Sequence, residues 1–98
     1  MKPHARLTRE AEADLAEAFD YYETQLSGLG HEFVATVDQQ LERIVENPAL
    51  YQVLHRGVRR AVTRRFPYGI FYLAEGEAVV VLAIAHQARD PEHWKQRL

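Results

Sequence analysis

Val79 to Ala85 reads VVVLAIA, seven apolar residues without a polar interruption, and no other stretch constrains this chain as much. Successive side chains of a strand leave opposite faces, so an unbroken apolar run needs cover on both sides. A strand of this kind belongs near the middle of a sheet. The cover must come from a chain of 98 residues. That length implies a single domain, 1–98, burying roughly two-thirds of the surface its unfolded form exposes.

Two amphipathic helices are available to supply one layer. HARLT, residues 4–8, alternates as a short first strand, and Thr8 is placed to cap the first helix, with Glu10 and Glu12 in the opening turn where the helix dipole favours acids. Ala11, Leu15, Ala18, Phe19, Tyr22 and Leu26 then recur at helical spacing, while Glu12, Asp14, Glu17, Asp20 and Glu23 form an acidic outer face. SGLG at 27–30 is a turn. A second stripe comes next in Leu29, Phe33, Val37, Leu41 and Ile44, and Asn47-Pro48 ends it because the residue before proline is driven out of the helical region. Helices joined by so short a turn pack antiparallel.

The period then changes. Residues 49–57 read as a connection anchored by Leu50, Tyr51, Val53 and Leu54. Residues 58–66 alternate as a strand, with Arg60 and Arg64 on one face and Arg59 and Arg65 on the other. Pro67 and Gly69 mark a bend, residues 69–73 a second strand, and residues 74–78 a hairpin loop leading into the apolar run. In RDPEHWKQRL, Asp90 caps a short last helix with Pro91 at its first position. The expected architecture is β-α-α-β-β-β-α: an α+β fold with helices on one face of a largely antiparallel, four-stranded sheet.

Charge divides the chain. Residues 1–54 carry 4 Lys and Arg against 10 Asp and Glu, whereas residues 55–98 carry 8 against 4. Of the cations 10 are arginine, the residue suited to planar contacts with phosphate or carboxylate. A basic surface facing an anionic or acidic partner is one consequence; neutralisation of the acidic half within the fold is the other. Burying an unpaired guanidinium is too costly, so one arginine pair is expected to meet helix acids such as Glu42 and Glu46 while the other faces outward, Arg64 among it.

Several chemistries are poorly served. There is no cysteine and one serine, Ser27, in a turn; the five histidines do not pair at metal-ligand spacing, and no Gly-rich phosphate loop occurs, so neither cofactor nor metal is expected. No segment approaches the ~20 apolar residues of a membrane span, and MKPHARLTRE is no leader, so the cytoplasm is the expected compartment. His86, at the end of the apolar strand with Arg89 beyond it, is the one histidine placed to be presented by a rigid scaffold.

Three motifs together resemble a known family. They are R-F-P-Y-x-I-x-Y (Arg65, Phe66, Pro67, Tyr68, Ile70, Tyr72), H-x-x-R-D-P-x-x-W (His86, Arg89, Asp90, Pro91, Trp94), and the first helix with Ala11, Asp14, Leu15, Tyr21 and Tyr22. In this order the chain resembles the RelE/ParE superfamily of type II toxins, particularly its ParE-like, plasmid-stabilisation members. The resemblance implies a growth-inhibiting toxin neutralised by a cognate antitoxin, which alone contacts operator DNA. ParE-like members inhibit DNA gyrase without a catalytic residue. RelE-like members cut mRNA on the ribosome without metal, and His86 with Arg64, Arg65 or Arg89 are the candidates for that chemistry here. The absence of lysine between Lys2 and Lys95, and a C-terminus that runs on into DPEHWKQRL, favour the ParE-like side. Arg59, Arg60, Arg64, Arg65, Tyr68, Arg89 and Trp94 are the expected contacts to target or antitoxin.

Overall fold

Residues 4–98 are described by the computed structural model, and the apolar run lies where its pattern demands. It forms most of β5 (Ala78–His86), which pairs on one side with β4 (Tyr68–Glu75) and on the other with β1 (His4–Leu7). The sheet runs β1-β5-β4-β3-β2, with β3 at Val58–Val62 and β2 at Gln52–His55. Every neighbouring pair is antiparallel except β1 with β5. Helices α1 (Arg9–Gln25) and α2 (Leu29–Glu46) form the expected hairpin on one face. α3 (Glu92–Lys95) lies against the other, with Trp94 stacked on Phe71 at 5.0 Å between ring centroids.

The sheet has five strands, not the four expected. β2 sits in the segment read as a connection, and Arg56 and Gly57, at φ 47° and 81°, turn it directly into β3. Two successive residues at positive φ make the hairpin turn whose twist matches paired strands. A second difference concerns residues 63–67, which leave the sheet as a turn. Thr63 is buried there and its hydroxyl donates to the carbonyls of Phe66 and Tyr68 at 2.8 and 3.2 Å. Arg64 and Arg65 therefore lie on a turn, Arg65 at φ 71°, rather than on opposite faces of a strand.

Of the helix predictions, the start of α1 and the end of α2 hold, while the hairpin's tip, the outer face of α1 and the start of α3 differ: α3 begins at Glu92 with Pro91 as its N-cap, and Asp90 accepts from the Glu92 amide at 3.0 Å. Thr8 caps α1 by accepting from the Ala11 amide. Leu26, placed in the buried stripe by its spacing, falls just past the helix and is 62% exposed. Glu23 reaches instead across the turn, accepting from the Gly28 and Gly30 amides at 2.9 Å each, so an anion fills the N-terminus of α2. Those amide bonds, that from Gly28 foremost, hold the Glu23 carboxyl below its ordinary value. The two helices meet closely at Gly30: a Cβ there would lie 2.6 Å from the Phe19 carbonyl oxygen. Backbone cannot yield as a side chain can. Gly30→Ala is expected to cost about 1–3 kcal/mol, read as a lower urea midpoint at unchanged m-value, and an unaltered midpoint would mean the helices part freely.

One irregularity shapes the site. In β5 the register passes from Tyr72↔Val81 to Phe71↔Ala83, which leaves Leu82 as an extra residue. Leu82 and Ala83 consequently both turn toward the Trp94 cluster, as a bulge requires. The backbone groups this exposes are met by side chains. Arg97 donates to the Leu82 carbonyl at 2.9 Å, and Asp14 accepts from the Ile84 amide at 3.0 Å. Arg97 and Asp14 in turn form a two-pronged pair at 2.7 and 3.1 Å. Sequence periodicity puts Asp14 on an acidic outer face; in the fold its side chain is 9% exposed.

Candidate functional site

The end of the sheet where β5 finishes gathers most of the expected site residues. The His86 strand end and the 63–67 turn are joined by the Gln87 amide, which donates to the Pro67 carbonyl at 2.8 Å. His86 and Tyr68 are cross-strand partners with rings edge-on at 5.5 Å. Arg89 lies on the next turn, and Arg64 projects from the neighbouring one, both exposed.

Two recesses flank this strand end and share His86 and Arg89. On the Trp94 side is a small cleft of about 90 Å³ lined by Arg60, Gly69, Phe71, His86, Arg89 and Trp94. Gly69 makes room for the Arg60 stem, since a Cβ there would stand 3.2 Å from its Cγ and Cδ. On the α1 side is a groove of about 360 Å³, bounded by α1 residues from Asp14 to Gln25 and by Tyr68, Ile84 and His86.

The four arginines of β3 and its turn divide in pairs. Arg59 is structural: it donates to the carbonyls of Ala49 and Tyr51 at 3.1 and 2.6 Å, tying the end of α2's connection to the sheet. Arg65 pairs with Glu32 at 2.7 Å, with both side chains more than half exposed, so the pair is worth ~1 kcal/mol or less. Glu42 and Glu46, the expected mates, form no ion pair among the described residues, because the turn carries Arg65 toward the start of α2 rather than its end. Arg60, Arg64 and Arg89 have no side-chain partner among the described residues. Trp94, expected as a contact, is 5% exposed and packs in the second core cluster, leaving little of itself for a partner.

The chemistry open to His86 is limited by its own turn. Its Nδ1 accepts from the Ala88 amide at 3.0 Å, so Nε2 is the nitrogen free to exchange a proton or contact a ligand. Tyr68 beside it is held protonated above its ordinary value, chiefly by burial. Among the described residues no group of three His, Asp or Glu side chains could hold a metal ion, and no helix is long and apolar enough to cross a membrane.

The Asp14–Arg97 pair is the charged feature that motif reading missed. No local signal joins residues 83 apart. Beside it, the His93 Nε2 lies 3.0 Å from Arg97 Nη2, a contact in which a neutral ring accepts from the guanidinium. Burial first, then the Arg97 charge, push the His93 pKa down, against the pull of Asp14. Because the folded pKa lies below the ordinary 6.5, the unfolded chain takes up a proton that the folded one resists. Stability from this source is full above that value and falls as pH drops through and below it. Urea midpoints on either side of pH 6.5 should show the fall, and His93→Gln should remove that part of it; an unchanged pH dependence in the variant would rule the histidine out.

The helical hairpin on this five-stranded sheet recurs in chains of two solved toxin–antitoxin systems. The fold matches the structure of the chromosomal ParDE toxin–antitoxin system from P. aeruginosa with a TM-score of 0.77 at 21% identity, covering 87% of this chain and 96% of that one. It also matches the RelBE2 toxin–antitoxin complex from Mycobacterium tuberculosis, with a TM-score of 0.64 at 22% identity over 89% and 100% of the two chains. In sequence, the chain is 32% identical over 95 residues to Toxin ParE2 of Mycobacterium tuberculosis, covering 93% of this chain and 88% of that protein. Residues 5–91 match the family described as the ParE toxin of the type II toxin–antitoxin system parDE. The chain belongs to that family.

Proposed function

We propose that this toxin inhibits growth by poisoning DNA gyrase in the cytoplasm, without catalysing a reaction, and that a cognate antitoxin encoded beside it neutralises it and contacts operator DNA for the pair. The observation that carries this reading is the set of unpaired guanidinium groups, Arg60, Arg64 and Arg89, around one end of the sheet. Cations without internal mates are available for anionic groups or carboxylates of a partner, where fork-shaped contacts give both affinity and orientation. Support also comes from family membership and from the assemblies in which the structural neighbours occur.

The cleft that places His86 beside Arg60 and Arg89 favours a second reading, in which the arginines hold a scissile phosphate on ribosome-bound mRNA and His86 Nε2 serves as acid or base. One experiment separates the two. Purified toxin in a gyrase supercoiling assay is expected to block supercoiling or trap cleaved DNA. No effect there, together with mRNA cut inside codons in expressing cells, would replace the first reading by the second.

A further inference from the structure

β1 stops short of its neighbour. Its last pair is Leu7 with Val81, after which the chain turns at Thr8 into α1, while β5 runs on to His86. No strand pairs with the outer edge of β5 beyond that point: the Leu82 carbonyl accepts from Arg97 and the Ile84 amide is taken by Asp14, which leaves the edge open only past that amide. Ile84 donates its amide to Asp14, away from β4, so its pairing with Ile70 is of the type in which neither residue bonds across the ladder. Tyr68, opposite His86, likewise gives its carbonyl to Thr63 on the far side. By the same alternation the Ile84 carbonyl and the His86 amide both point outward, without a protein partner among the described residues. They face the 360 Å³ groove beside α1, which falls within the range of roughly 300–1,000 Å³ common for ligand sites.

The groove's other wall has a definite chemistry. Glu17 and Tyr21, one helical turn apart, lie on the same side of α1. Tyr21 is 58% exposed and meets Tyr22 edge-on at 5.2 Å, and Tyr22 meets Tyr68 at 6.0 Å. Glu17 has no ion-pair partner among the described residues. The unpaired Arg89 also lines the groove, from the turn after β5, so it is the α1 wall, with Glu17, Tyr21 and Tyr22, that attracts a cation, in the half of the chain that carries 4 basic against 10 acidic residues.

We propose that this groove takes an extended segment of a protein partner, which adds as a strand to the open edge of β5 at Ile84–His86 and seats a lysine or arginine side chain against Glu17 among Tyr21, Tyr22 and Tyr68. The segment continues the place β1 vacates. Two main-chain bonds, to the Ile84 carbonyl and from the His86 amide, set its register, and the tyrosine-lined end selects the basic side chain. The inference rests on the reading that a protein partner holds the toxin, and it gives that partner a chemistry.

The test is a titration of isotope-labelled toxin followed by nuclear magnetic resonance, with the pentapeptide TVRVT, blocked at both ends, as probe and TVQVT and TVEVT as comparisons. The His86 amide should move as it gains a hydrogen bond. TVRVT should bind about tenfold more tightly than TVQVT, with TVEVT weakest. Glu17→Gln should erase that preference while the spectrum stays dispersed, and Tyr21→Ala should weaken TVRVT alone of the three. A His86 amide unmoved by any peptide at millimolar concentration, or equal affinity for TVRVT and TVEVT, would overturn the proposal. So would free arginine amide binding as tightly as TVRVT, because strand addition would then contribute nothing. The titration needs neither antitoxin nor gyrase, so its failure leaves neutralisation standing. Failure of the neighbouring gene's product to co-purify with the toxin would instead remove neutralisation and leave the titration unchanged.

Discussion

Asp14→Ala is expected to lower stability by about 3–5 kcal/mol, the range for removing one partner of a buried ion pair. Two losses combine. The Arg97 guanidinium, 16% exposed, is left without its carboxylate, and the Ile84 amide at the β5 bulge loses its acceptor. A domain of ordinary stability holds only about 5–15 kcal/mol in total, so the variant should sit near the edge of folding at 37 °C. Urea denaturation measures the loss directly. Asp14→Asn is the informative companion: its amide oxygen can still accept from Ile84 while the charge is gone, so it isolates the electrostatic share. Replacing both partners, Asp14→Leu with Arg97→Met, should recover much of the cost of the stranded charge, but neither the Ile84 amide nor the Leu82 carbonyl, which loses its Arg97 donor. A single alanine variant that loses less than ~1 kcal/mol would mean the pair is dispensable and the bulge is held by packing alone.

Why the sequence concealed this pair is a matter of what periodicity can report. The spacing of Ala11, Leu15, Ala18 and Tyr22 marks a helix's buried stripe, and Asp14 lies beside that stripe rather than on it. Whether such a border residue faces water depends on what packs there, which is here the C-terminal Arg97 and a bulge in a distant strand. Local pattern was sufficient where one segment carries its own reason. The VVVLAIA run required a central strand, Thr8 a helix start and Asn47-Pro48 a helix end, and each stands so in the fold. It was insufficient for β2, whose four residues alternate weakly and are defined by pairing with β3. Arg64 and Arg65 continue the alternation of β3 in sequence, yet the side-chain bonds of Thr63 close a turn before the strand can continue. The cost of burying a lone guanidinium accounts for Arg59, which is partly buried and held by backbone carbonyls, but not for Arg65, whose pair with Glu32 is more than half exposed; neither set of partners is legible in the sequence.

The larger functional effect is expected from reversing the free cations. Arg64→Glu with Arg89→Glu removes two exposed guanidinium groups that make no bond within the chain among the described residues, so the melting temperature should stay within a few degrees of the parent. Charge pairs across protein interfaces couple by about 1.5–7 kcal/mol, and reversal adds repulsion to the lost attraction. If the toxin acts on gyrase as proposed, the double variant should need at least about 100-fold more protein to inhibit supercoiling, and should no longer arrest growth when expressed. Arg56→Glu is the control, another exposed arginine, on the hairpin turn between β2 and β3. If general electrostatic attraction were the whole cause, that change would weaken inhibition as much as either single reversal. A site-specific surface predicts that it leaves inhibition within about threefold of the parent, because surface substitutions away from a contact cost under ~0.5 kcal/mol. Full inhibition by the double variant would detach this end of the sheet from the target.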